Sequence, residues 1–187
     1  MAERVEKGNY GYVDYRKQTL LFKTLAEFLA VSLIFCAGYL ICGTKNNICT
    51  VIAILLVLPA ARCLTSYMMV AKAKTPDKEK YDLLAGKTAG FPLLSDCIMT
   101  CGDKKIYVPF AVVTDTSVYC YTEDVSFDVG YFEKGISEFI ASCGDTVSVK
   151  LFQNFDMFLK RVLSLHPAEN KEKKVERIKN DFLILVL

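Results

Sequence analysis

Two apolar segments, residues 25–42 and 48–70, joined only by Gly43-Thr44-Lys45-Asn46-Asn47, constrain this chain more than any other feature. Each is close to the ~20 residues a helix needs to cross a ~30 Å hydrocarbon layer. Helices joined so tightly must run antiparallel. The sequence therefore predicts an antiparallel transmembrane helical hairpin over residues 14–72, behind a polar arm at 1–13. A charged linker at 73–80 then leads to a mixed α/β domain at 81–187. The expected fold class is α+β.

Positive residues set the expected orientation. Arg4, Lys7, Arg16, Lys17 and Lys23 precede the first span, and Lys72, Lys74, Lys78 and Lys80 follow the second. The connecting turn has Lys45 alone. Both termini are thus expected in the cytoplasm, in a multi-pass protein of the inner (cytoplasmic) membrane. A cleaved signal peptide fits less well, because a long polar stretch precedes the first span and a second span follows at once.

Two charges interrupt the apolar runs. Glu27 lies 18 residues before Lys45 and Arg62 lies 17 after it, so in a hairpin the two sit at nearly the same depth. A charge within the bilayer costs at least ~2.5–3.5 kcal/mol when unpaired. The reading is a structural ion pair, Glu27 with Arg62, that fixes the register of the helices; the alternatives are that each side chain snorkels to water or that the two line an ion or proton path. Pro59 removes one hydrogen bond from the second helix and is expected to bend it. Tyr10, Tyr12, Tyr15, Arg16 and Lys17 are of the types that anchor at lipid headgroups; the alternative is that some of the tyrosines pack on the α/β domain. Cys42 and Cys49 bracket the far-side turn, where they either bridge it or pack independently. Cysteines elsewhere fit a reducing compartment.

The remainder reads as β-β-β-α-β-α-α-β. A short helix at 80–84 gives way to strands at 93–100, 105–113 and 117–122, with Gly102-Asp103 as turn chemistry. Helical spacing follows at 131–143, alternation at 146–152, and a second amphipathic helix at 155–165. Pro167 is placed at the start of a charged helix to Asn180, and the six apolar residues 182–187 are read as a buried strand completing the sheet.

No constellation specifies chemistry. The net charge of +2, with 11 Lys/Arg against 13 Asp/Glu from Asp103 onward, argues against nucleic acid. The one histidine, His166, beside Pro167, reads as a helix cap, and no Cys-x-x-Cys is present, so no metal and no cofactor are expected. Cys97, Cys101 and Cys120 are expected as buried core residues. Gly86-Lys87-Thr88 echoes a phosphate loop, but Tyr81 stands where that motif needs glycine. The strand order is that of restriction-endonuclease-like cores, yet of the candidate acids Asp115, Glu123 and Asp124, neither Glu123 nor Asp124 starts an acid-x-Lys pair. The run Tyr119-Cys120-Tyr121-Thr122-Glu123-Asp124 instead offers an interaction patch, with Tyr119 and Tyr121 on an outward face edged by Glu123 and Asp124; the alternative is that a helix or the membrane-proximal arm covers that face.

The segments Gly-Tyr-Val-Asp-Tyr-Arg-Lys (11–17), Leu-Pro-Ala-Ala-Arg (58–62) and Tyr-Thr-Glu-Asp (121–124) resemble those of small bacterial membrane proteins with a two-helix hairpin and a cytoplasmic α/β domain. That resemblance implies a bacterial inner-membrane location and no activity. The expectation is a membrane-anchored, non-enzymatic interaction or scaffolding domain whose partners are the bilayer and a protein or a second copy. A domain that binds a small ligand or is a degenerate enzyme, drawing on Asp96, Asp115, Glu123 and Lys150, is one alternative. A small oligomeric transport or channel subunit is the other.

Overall fold

The computed structural model describes residues 5–44, 47–88, 90–102, 104–165 and 172–187, apart from the side chain of Cys42. The chain is α+β: two long apolar helices followed by a domain built on a four-stranded mixed sheet. It divides into two units, Asp14–Lys72 and the combination of Met1–Val13 with Ala73–Leu187.

Helices α1 (Tyr12–Cys42) and α2 (Ile48–Ala71) make up most of the first unit, and both are long and apolar enough to cross a membrane. Small residues line the contact between them. A Cβ at Gly38 would overlap that of Cys49, and Ala53 and Ala60 are buried on α2. Lacking bulk there, the backbones approach closely. The outward faces are large and bare: Leu40 and Ile41 are 80% and 81% exposed.

In the second unit, β1 (Leu93–Cys101), β2 (Lys104–Val113), β3 (Ser117–Tyr121) and β4 (Ser148–Phe152) lie in that spatial order. The first three are antiparallel; β4 runs parallel to β3. A parallel neighbour needs a crossover, and α4 (Val129–Ser142) supplies it. Helix α4, with Phe132, Ile136 and Ile140, covers one face together with α6 (Glu172–Ile184), with Val175, Ile178 and Phe182. Helices α3 (Lys78–Ala85) and α5 (Phe155–Leu163) cover the other through Leu84, Phe158 and Val162. Asp77, Asp128 and Asn154 cap α3, α4 and α5 by accepting backbone N–H bonds.

The β1–β2 ladder changes face partway along. Leu94 faces the α4 side and so does Cys97, three residues later; on β2 the same holds for Val108 and Ala111. Strict alternation would separate each pair. The shift falls where Asp96 stands opposite Pro109, the one level the pairing skips. Asp96 takes a left-handed conformation, φ 57°, and Pro109 has no N–H to give.

The closing residues correct the sequence reading. Residues 182–187 do not form a strand: α6 continues to Ile184, and only Val186 pairs, in a single bridge to Met99. Phe182 follows Val175 and Ile178 at helical spacing, so the helix keeps its apolar stripe by running on. The order is β-β-β-α-β-α-α, with a bridge in place of the last strand. The start of the charged helix at Pro167 lies outside the described residues.

Candidate functional site

Of the expected patch, the tyrosines are inside the protein. Tyr119 and Tyr121 are each 5% exposed, on the face covered by α5. The Arg161 guanidinium lies 4.9 Å from the centre of the Tyr119 ring and donates to its hydroxyl at 2.7 Å. Tyr121 stacks among Phe110, Phe155 and Phe158 at centroid distances of 6.4, 5.4 and 5.9 Å. The covered alternative holds: β3 is a central strand with helices on both faces, buried along nearly its whole length.

The acids that follow β3 are exposed, and the chain gives them a fixed setting. Buried Thr122 accepts the Asp124 N–H at 3.2 Å and donates to the Tyr107 carbonyl at 2.8 Å. The Asp124 carboxylate accepts from the Ser126 N–H and hydroxyl at 3.0 and 2.6 Å. Gln153, just past β4, donates its amide to the carbonyls of Asp124, Val125 and Phe127 at 3.2, 3.3 and 3.0 Å. Glu123 pairs with Lys80 of α3 at 3.5 Å. Loop 122–127 is thereby held at several points, with Val125 at its tip 74% exposed between carboxylates. Sequence reasoning found Glu123 and Asp124 but missed Val125 and Gln153. A glutamine 29 residues downstream carries no local signal of its role.

Asp96 is fully buried, accepting from the Gly11 N–H at 2.6 Å and the Tyr107 hydroxyl at 2.9 Å. Burial first, and then the Asp96 carboxylate, push the Tyr107 hydroxyl well above its ordinary pKa of 10.0. A buried acid so engaged is a structural anchor. The grouping of Asp96, Asp115, Glu123 and Lys150 into one pocket does not form: Lys150 pairs with Glu133 at 3.1 Å. Asp115 sits in the turn before β3, where Thr114 and Ser117 exchange hydrogen bonds, and Glu123 lies beyond the other end of that strand. Gly86-Lys87-Thr88 follows a helix and leads toward β1, the reverse of the strand-to-helix order that cradles phosphate.

Cys97, Cys101 and Cys120 all face the α4 side of the sheet, buried among apolar side chains. Desolvation raises all three thiols, so they pack as small hydrophobes rather than react. Among the described residues no group of three metal-ligating side chains converges. A recess of about 440 Å³ opens between the β1–β2 tip and α4, where Lys134 and Glu138 pair with each other at 3.9 Å. His166 lies outside the described residues, as does the Cys42 side chain on which a bridge to Cys49 depends.

Within the hairpin, no ion pair joins Glu27 to Arg62 among the described residues. The Glu27 Oε1 atom accepts from the Cys63 thiol at 3.4 Å, its Oε2 is buried without a partner, and Arg62 is exposed. Matching depth brought the right turn of α2 opposite Glu27, but neighbouring residues differ by about 100° around a helix. Cys63, one step on, takes the inward direction. Of the expected anchors, Tyr10 and Tyr12 pack in the sheet unit: Tyr10 lies 4.8 Å from the Tyr81 ring, and Tyr12 is 6% exposed. Tyr15, Arg16 and Lys17 are half-buried on α1, where Lys17 reaches Asp14 at 4.0 Å.

Comparison of the chain with protein-family models, curated proteins and solved structures returns no match.

Proposed function

We propose that this chain is a membrane-anchored interaction module. Helices α1 and α2 form a two-pass hairpin with both of its ends in the cytoplasm, and the sheet domain presents loop 122–127 to a protein partner. The observation that carries the reading is the apolar shell of the hairpin. Leu40, Ile41, Ile48 and Leu58 are 70–81% exposed, a surface that water does not tolerate and lipid does. The positive flanks support the orientation. The loop supports the interaction: an exposed Val125 on a backbone pinned by Gln153 loses little entropy on binding.

One labelled-membrane experiment tests it. The protein is expected to stay in the membrane pellet after alkaline carbonate washing. An impermeant maleimide is expected to label exposed Cys143 only after the cells are permeabilised, with Cys143→Ser as the blank. A photoreactive residue at position 125 is then expected to yield one defined protein adduct, and the same residue at 134 none. Extraction by carbonate, or labelling of Cys143 in intact cells beyond that of the Cys143→Ser blank, overturns the anchorage or its orientation. Absence of an adduct at 125 overturns the contact.

A further inference from the structure

We infer that residues 5–13 are a strap that links the start of α1 to the outer edge of the sheet, so that displacement of the hairpin is felt as loosening of β1. The inference rests on the membrane reading above. It begins with covalent continuity: Tyr12 and Val13 are the first residues of α1, yet they belong to the sheet unit. Both are buried, Tyr12 at 6% and Val13 at 0% exposed, and Tyr12 is part of the sheet's core.

Each part of the strap is fastened to a different partner. The Ser95 N–H of β1 donates to the Gly8 carbonyl at 2.8 Å, as a neighbouring strand would accept it. Two residues into the next turn, the Gly11 N–H donates to Asp96 at 2.6 Å. Lys7 and Tyr12 donate to the carbonyls of Val186 and Leu187, at 2.6 and 3.1 Å. Tyr10 reaches the other flank of the hairpin, donating to the Pro76 carbonyl at 3.1 Å and packing on Tyr81. Residues 186–187 themselves hold the same edge, through the Met99 bridge and the Leu187 N–H to the Ile98 carbonyl at 2.9 Å.

The joint is strained in the way a functional joint often is. Asp96 holds φ 57° inside a strand, a conformation that costs a non-glycine residue energy unless its surroundings enforce it. What enforces it includes the strap, through Gly11. Pulling on α1 therefore loads the Tyr12–Leu187 and Gly11–Asp96 bonds first and the Gly8–Ser95 bond after them, and these secure residues 186–187 and the edge of β1.

The test uses the full chain in lipid nanodiscs made from short-chain and from long-chain phosphatidylcholine, because thickness mismatch changes helix tilt. Hydrogen exchange is followed in peptides covering residues 93–101, 182–187 and 117–121. The strap predicts about a tenfold difference in exchange between thin and thick bilayers for the first two and none for the third. A variant with six Gly/Ser residues inserted between Val13 and Asp14 is expected to keep the protection and lose its dependence on thickness. Exchange independent of thickness in a protein shown to be inserted overturns the strap and leaves the membrane reading standing. So does a dependence that survives the insertion. Failure of the chain to enter nanodiscs at all overturns both.

Discussion

The two edges of the sheet are protected by different means. The outer edge of β1 is covered by backbone from far away in the sequence, the strap on one side and residues 186–187 on the other. The outer edge of β4 is guarded by one side chain: Glu133 of α4 accepts the Leu151 N–H at 3.0 Å and pairs with Lys150. An open edge recruits other strands, and proteins close it with short strands, charges or covering segments. A nine-residue edge such as β1 needs cover; the five-residue β4 needs only a charged plug. The contrast implies that stability is concentrated at the β1 end.

The hardest test of this contrast is removal of residues 185–187. It strips buried Val186 from the core and removes the carbonyls that Lys7 and Tyr12 donate to and the Leu187 N–H that Ile98 accepts, so a loss of about 4 kcal/mol or outright unfolding is expected in chemical denaturation. If the loss is under about 1 kcal/mol, β1 is not the critical edge.

The interior between the edges responds to alkali. Burial raises the thiols of Cys97 and Cys120 above their ordinary 9.0, and the Tyr107 hydroxyl above 10.0. Each folded group holds its proton more tightly than the unfolded chain does. Its stabilisation is therefore complete below the ordinary value and declines as pH rises past it. Each is expected to lower stability by about 1.4 kcal/mol per pH unit, the thiols from about pH 9 and the tyrosine from about pH 10. Urea midpoints measured from pH 8 to 10.5 check this, and a flat profile would contradict the buried cysteine cluster.

Gly8→Val sharpens the comparison at smaller amplitude. Gly8 has φ +82°, and a Cβ there would sit 2.9 Å from methyl groups of Leu94 and Leu183. A cost of about 2 kcal/mol is expected in the same denaturation assay. Glu133→Ala, at the opposite edge, is expected to cost about 1 kcal/mol, since water can replace a partly exposed acceptor. If the second substitution proves the costlier, the two edges have been ranked the wrong way round.

How much of this was legible beforehand depended on how local each signal is. The long helices, the three-strand meander and the stripe of Phe132, Ile136 and Ile140 follow from short-range periodicity, which the residues state directly. The run 182–187 misled because six apolar residues fit strand and helix alike; only its phase with Val175 and Ile178 decides. For Tyr119 and Tyr121 both a solvated and a covered face stay open, because alternation cannot tell one from the other; α5 decides it. Gln153 and Gly8 carry no local signal, and Asp96 points only to a pocket that does not form, because their roles lie in partners 26–87 residues away.

The arrangement of the sheet unit also has a consequence for the order of synthesis. Lys7 and Tyr12 leave the ribosome more than 170 residues before Val186 and Leu187, with which they are joined. At 5–20 residues per second, the arm waits on the order of 10–30 s for those partners. From the completion of β1 at Cys101 until Val186 is made, 85 residues later, the edge of β1 is at most half closed. A nascent chain of this kind exposes an adhesive strand during its own translation, and its need for a chaperone is greatest then.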